Sequence, residues 1–162
     1  MPEVVSNTSP LQYLHQLGLI DLLPRLVGRI AVPTAVAEEL EAGRSLGHDL
    51  PDVASLDWVS VRAPVSSQQA FSPDLGRGET DALRLALEYP VGDVTVLLDD
   101  MRAREAAERH GLKFTGTLGV LLEAKRAGLL QEMRPHLDRL DALGFRLARH
   151  TRAAVLRFAG EE

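Results

Sequence analysis

The sequence predicts an α/β fold of three layers, with a central, mostly parallel sheet flanked by helices. Three observations carry that expectation. Short β-branched runs alternate with stretches of helical periodicity along most of the chain, the signature of repeated βαβ units. The run Val94-Thr95-Val96-Leu97-Leu98 is continuous, apolar and β-rich, as expected of a central strand buried on both faces. A chain of 162 residues fits one domain that can bury its core without staples. Residues 1–162 are therefore read as a single domain, with roughly 129–162 a helical C-terminal extension.

Taken in order, Val4-Val5 reads as the opening strand. Thr8 or Ser9 then caps a helix with Pro10 in its first turn, Leu11, Leu14 and Leu17 on its apolar face, and Gly18 as its stop. A short helical stretch over 19–27 is interrupted by Pro24. Arg29 to Val32 is a second strand, and Pro33-Thr34 opens a helix carrying Val36, Ala37 and Leu40. Residues 43–52 read as a loop, Trp58 to Val61 as a third strand, and 64–73 as a polar, irregular flap. A helix over 79–88 precedes the strong strand. Asp99-Asp100 ends that strand, and a helix rich in Arg, Ala and Glu runs to His110-Gly111. Residues 113–115 form a last short strand, with helices over 118–127, 133–143 and 151–159 behind it.

Composition narrows the function classes. Hydrophobic residues make up 45% and charged residues 25%, ordinary for a soluble globular domain. No apolar run approaches the roughly 20 residues a bilayer span needs, and the N-terminus lacks the pattern of a signal peptide. Without cysteine there can be no disulfide and no thiolate metal site, which suits a cytoplasmic protein. The net charge of −5 neither supports nor excludes RNA, since acids gathered in a metal site are neutralised there while arginines elsewhere contact phosphate. No HExxH zinc motif and no phosphate-binding GxxxxGK[ST] loop is present.

In open α/β sheets ligands bind beyond the carboxyl ends of the strands. Asn7 ends the first strand, and Asp99 and Asp100 end the strong one. Glu38 and Glu39 lie on the helix after the second strand, and Glu79 and Asp81 in the first turn of the helix before the strong strand. Acids gathered at one sheet edge repel one another unless protonated or neutralised by cations, and an all-oxygen set favours Mg2+ or Mn2+ over zinc. Each position also has a plain reading. An Asp pair after a strand caps the next helix, Glu79 complements a helix dipole, and the acids around Glu39 make a solvated face. Arg102, Arg104 and Arg109 follow the Asp pair, and Arg146, Arg149, Arg152 and Arg157 crowd the tail. They read either as an RNA track or as solvated helix faces.

The ordered set VSNTSPLQYLHQLG, VPTAVAEELEAG, LGRGETDALRLALE and VTVLLDDMRAREAAERHGLKFTGTLGVLLEAKRAGLL, with the ending LGFRLARHTRAAVLRFAGE, resembles the PIN-domain family over nearly the whole chain. It looks most like a PIN-like branch described as toxin components or nucleic-acid-binding proteins. The resemblance implies a parallel sheet with acids at its carboxyl edge and Mg2+- or Mn2+-dependent endoribonuclease activity. It also implies a small antitoxin partner and a homodimer. By motif, Glu39, Glu79 and Asp100 match the family's acids, with Asp99 a second ligand. Asn7 stands where the first Asp is usual, and Thr115 and Thr117 stand where relatives place small hydroxyl or acidic residues.

The implied mechanism has Glu39, Glu79, Asp99 and Asp100 holding metal directly or through water, and Asn7 orienting metal or water. Thr117 bonds water or a phosphate oxygen, and Arg102, Arg146, Arg149 and Arg152 contact RNA. The alternative reading is a weakened or non-catalytic PIN-fold module that binds RNA or a partner, because an amide at position 7 brings no charge to a metal. A phosphoryl-acceptor signalling domain fits less well, since the opening strand ends in Asn without an acid pair and no lysine stands in a matching late position.

Overall fold

The computed structural model describes residues 3–66 and 70–162. Five strands form one sheet: β1 (Glu3–Ser6), β2 (Ile30–Pro33), β3 (Val59–Arg62), β4 (Val94–Leu97) and β5 (Lys113–Thr115). Their spatial order is β3-β2-β1-β4-β5, and every neighbouring pair is parallel, so the sheet is entirely rather than mostly parallel. The chain builds outward from β1 through β2 and β3, then returns to the other side of β1 for β4 and β5. The order therefore reverses between β1 and β4. A crevice opens at such a reversal because the connecting helices leave on opposite faces.

Eight α-helices among the described residues cover the sheet: α1 (Thr8–Gln16), α2 (Leu22–Val27), α3 (Thr34–Ser45), α4 (Arg77–Ala86), α5 (Met101–Arg109), α6 (Thr117–Arg126), α7 (Arg134–Ala142) and α8 (Arg149–Phe158). Side chains alternate along the strands and feed two cores. Val4, Ile30, Val32 and Leu97 join residues of α1, α2, α3, α6, α7 and α8 on one face. Val5, Ala31, Val94, Val96 and Leu98 join α4 and α5 on the other. The β4 run thus supplies both layers, which is why it is apolar apart from the half-buried Thr95. On α5 the sheet-facing residues are Ala103, Ala106 and Ala107, small enough to bring that helix close to the sheet.

Local differences from the sequence reading have local causes. Pro24 sits in the first turn of α2, where a missing N–H costs nothing, so it does not interrupt the helix. The α3 helix continues through Gly43 to Ser45, and the Leu50 side chain occupies the space that a Cβ at Gly43 would take. The cap of α1 is Asn7 rather than Thr8 or Ser9, whose hydroxyls are committed elsewhere. Of the 64–73 stretch, residues 67–69 lie outside the described residues.

The C-terminal helices pack into the first core. Met133, Leu137, Leu140, Val155 and Leu156 are buried in the same cluster as Leu11 and Leu121. Glu161 ties the tail down by accepting bonds from Lys125 Nζ (2.6 Å) and from the backbone N–H groups of Met133 (2.7 Å) and Arg134 (3.1 Å). Among the described residues no helix is long and apolar enough to cross a membrane.

Candidate active site

The crevice between β1 and β4 gathers polar residues from distant parts of the chain. Asn7 follows β1 in extended conformation, and its backbone N–H donates to Leu97 O at 3.1 Å, lacing the ends of β1 and β4 together. Its side chain caps nothing. Asn7 is 5% exposed, and its Oδ1 is buried without a partner. Leaving a buried carbonyl unsatisfied costs about 1–3 kcal/mol, so the position asks for a ligand or a role.

Each of the four acids accepts a backbone N–H from the start of a helix. Glu39 Oε1 accepts from Gly78 of α4 at 3.1 Å, while its Oε2 accepts the Thr8 hydroxyl at 2.6 Å. Glu79 reaches back from the first turn of α4 to the N–H of Gly76 at 3.1 Å. Asp100 caps α5 by accepting from Ala103 N at 3.0 Å. Asp99 is the most committed. Its Oδ1 accepts from Thr117 N at the start of α6 (2.8 Å), and its Oδ2 accepts the hydroxyls of Ser9 and Thr117, both at 2.7 Å. The positive ends of α4, α5 and α6 therefore compensate the acid cluster. Among the described residues none of these four acids is ion-paired to an arginine or lysine.

That compensation is incomplete at Glu79. Burial pushes its carboxyl above the usual range, and the neighbouring Asp100 carboxylate, which shares a hydrogen bond with it, and Glu39 push it further up. The Gly76 N–H acts in the opposite direction.

Asn7, Glu39, Glu79, Asp99 and Asp100 line one cleft of about 850 Å³. The sequence-predicted acids are thus brought together, but in different states of engagement. Glu38 and Asp81 face away and pair with Arg77 (2.7 Å) and Arg84 (3.3 Å). Thr117 is fully buried, and its hydroxyl serves Asp99, so it has no surface to offer RNA; its influence on the site runs through Asp99. Thr115 is absent from the cleft wall.

The arginines separate as well. Arg102 is exposed beside Asp74 at 3.7 Å, Arg152 pairs with Asp138 at 2.6 Å, and Arg149 begins α8 outside the cleft. Arg104 donates from Nε to Leu98 O at 2.8 Å and stacks on Phe114. Arg146 alone of these lines the cleft.

Ser9, Gln12, Tyr13 and Phe145 also line it, and sequence reasoning missed them. Ser9 and Tyr13 stand four residues apart, hence on one face of α1, a spacing that was available as a signal. Phe145 had no local signal.

Among the described residues no three His, Cys, Asp or Glu side chains stand around one point as a ready metal cage. The donors still suit a small hard cation. Mg2+ keeps several waters and takes only one or two carboxylates from a protein. Glu79 and Asp100 supply those, the unpartnered Asn7 Oδ1 supplies a neutral oxygen, and a cation would relieve the repulsion that raises Glu79.

A family model described as a PIN domain matches residues 3–161. No curated protein shows significant similarity to the chain. The match spans β1 through the C-terminal tail, including every acid of the cleft and the α7–α8 extension. PIN domains are in general nucleases, and acids at the carboxyl edge of a wholly parallel sheet accord with hydrolytic chemistry on phosphodiesters. With its five-stranded parallel sheet between two helical layers, the chain belongs to the PIN-domain family.

Proposed function

We propose that this PIN domain is an endoribonuclease dependent on Mg2+ or Mn2+ and the toxin of a toxin–antitoxin pair. The observation that carries the metal dependence is the buried, unpartnered Oδ1 of Asn7 in the same cleft as the Glu79–Asp100 pair. Asn7, Glu79 and Asp100 would hold the ion. When bound it supplies charge neutralisation at the phosphate and acidifies water for attack.

The chain's own residues do the rest. Glu39, held by Thr8 and Gly78, locks the start of α4 against α1 and so places Glu79. Asp99 ties α1, the end of β4 and α6 into one frame through Ser9 and Thr117. The proton that water gives up as its oxygen bonds to phosphorus passes to solvent. The bond from phosphorus to the leaving ribose oxygen then breaks, and that oxygen takes a proton from solvent. No covalent intermediate on the protein is needed.

The toxin role, a small antitoxin partner, a homodimer and a cytoplasmic setting rest on the family resemblance, with the absence of cysteine agreeing. Purified protein should cut RNA in Mn2+ or Mg2+, stop in EDTA, and lose cutting in Asp100→Asn. A folded protein that cuts no RNA with either ion would sink the reading. Growth arrest on expression, relieved by a small neighbouring reading frame, tests the toxin role.

A second reading has support of its own. The neutral amide at Asn7 and the lack of a three-acid cage favour a weakened or non-catalytic module that binds RNA or a partner. Calorimetric titration with Mn2+ separates the two, since no binding linked to Glu79 or Asp100 would favour the module.

A further inference from the structure

The ladder between β4 and β5 breaks off beside the Asp99–Asp100 pair. In a parallel ladder a residue donates its N–H to a carbonyl of the partner strand, and its own C=O accepts the N–H two residues further along that strand. Leu98 N–H donates to Thr115 O at 2.8 Å, so the next rung calls for the Thr117 N–H on Leu98 O. That rung is diverted. The Thr117 N–H goes to Asp99 Oδ1 at 2.8 Å, and Leu98 O accepts Arg104 Nε, also at 2.8 Å. A side chain of α5 thus replaces a sheet bond, and the displaced N–H holds a carboxylate.

The sequence makes room for this exchange. Gly116 has φ −129° and ψ −168°, an extended backbone open to any residue, so conformation does not require glycine there. Space does. Arg104 Nη2 occupies the volume that a Cβ at position 116 would take, and Asp99 Oδ1 and Leu98 O lie 2.6 Å and 2.9 Å from the same point. Arg104 is half-buried, and its Cζ stands 5.5 Å from the centre of the Phe114 ring. The ring face and the helix together fix the planar guanidinium with its Nε–H on the carbonyl. Arg104 is absent from the cleft wall, so it acts on the site only through its neighbours.

We propose that Arg104, admitted by Gly116, is a positioning residue that sets the Asp99–Asp100 turn of this site. By satisfying Leu98 O it releases the Thr117 N–H to Asp99, whose carboxylate is then fully engaged by Thr117 and Ser9. The adjacent Asp100 is left as the less committed carboxylate facing the cleft. Leu98 is fully buried, so its carbonyl must find a donor. Without Arg104 it competes for the Thr117 N–H, Asp99 loses its backbone bond, and the turn that carries Asp100 loosens. The role rests on the ribonuclease reading only for its effect on cutting.

The test reads the diverted bond apart from cutting. Arg104→Met keeps an apolar stem against Phe114 and removes every donor, while Arg104→Lys restores a cation and a donor without the planar fork. In EDTA, the amide proton resonance of Thr117 should shift in Arg104→Met as its acceptor changes from a carboxylate, with Arg104→Lys falling between the two. Mn2+ affinity, measured by calorimetry, should fall about tenfold in Arg104→Met, as when groups that orient metal ligands are removed. In cutting assays kcat should fall by about as much, while KM for RNA stays within about threefold because Arg104 lies outside the cleft. An arginine that only braced the fold would lower Tm and leave the Thr117 resonance, the Mn2+ affinity and kcat in place, and that result overturns the proposal. The Thr117 resonance needs no metal, so it decides even if the parent binds none. If Arg104→Met fails to fold, an unmoved Thr117 resonance in Arg104→Lys overturns the proposal in its place. If the resonance shifts and Mn2+ binding weakens but no protein cuts RNA, the positioning role stands and the nuclease reading fails.

Discussion

The Gly78 N–H donates to Glu39 Oε1 at 3.1 Å, and a Cβ built at Gly78 would lie 2.8 Å from that same oxygen. Glycine is required there for close approach, not for a special backbone angle, because position 78 is helical with negative φ. The consequence is an opposition between stability and site geometry.

Gly78→Ala should leave the fold almost unaffected. Alanine is the better helix former by up to about 1 kcal/mol, which offsets the displacement of one carboxylate. The displaced carboxylate is Glu39, however, so metal-dependent cutting should fall at least about tenfold while Tm stays within about 3 °C. Cutting at the parent rate would show that the Glu39–Gly78 contact does not place the site.

Asp99 and Asp100 are adjacent but should respond in opposite ways. Asp99→Ala leaves the N–H and hydroxyl of fully buried Thr117 without their acceptor, a loss of about 2–4 kcal/mol, or roughly 5–10 °C in Tm. Asp100→Asn still accepts from Ala103 N, so Tm should move little while cutting disappears. Thermal melts beside cutting assays check both, and equal destabilisation by the two would contradict the assignment.

Asn7→Asp should reverse sign with metal. In EDTA a further anion buried beside Glu79 and Asp100 lowers Tm below the parent. In excess Mn2+ the added charge tightens binding by about tenfold or more, and Tm should pass above the parent. Melts in the two buffers give the answer directly. Curves that do not cross place Asn7 outside the ion's ligand set.

Two glutamates give opposite pH signatures. Glu79 is raised above its unfolded value by burial and by Asp100. Its stabilising contribution is present below about pH 4.3 and lost as pH rises through the folded value. Ionised Glu79 is therefore a burden at neutral pH, and Glu79→Gln in EDTA should melt higher than the parent near pH 7.5, with the advantage closing toward pH 4. Glu161 goes the other way. Burial pushes it up, but the Lys125 pair and the Met133 and Arg134 N–H groups outweigh that and hold it low. Its contribution is present above about pH 4.3 and lost as pH falls through the folded value. Glu161→Gln should lower Tm near pH 7.5 by roughly 3–6 °C, a gap that narrows in acid. Parallel pH series of the three proteins in EDTA check both signs.

Much of the frame was legible in the sequence. The β4 run announced a strand buried on both faces because apolar residues occupy both of its faces, with Thr95 the one polar position. Glu79 and Asp100 were visible as acids at helix starts, where backbone N–H groups need acceptors. Less could be read where neighbours look alike. Nothing in Asp99-Asp100 says that the first is consumed by Thr117 and Ser9 while the second stays open beside Glu79. Arg102, Arg146, Arg149 and Arg152 were all read as RNA contacts, yet of these four only Arg146 lines the cleft.

By itself the sequence determined the elements and the sheet class, because periodicity, caps and turn residues act over a few residues of chain. Only the tertiary structure decided which polar groups share a space. Asn7, Glu39, Glu79, Asp100 and Phe145 meet because strand order reverses between β1 and β4 and because α7 and α8 pack into the first core. Those long-range placements follow from burial summed over the whole domain, a quantity that no local window contains.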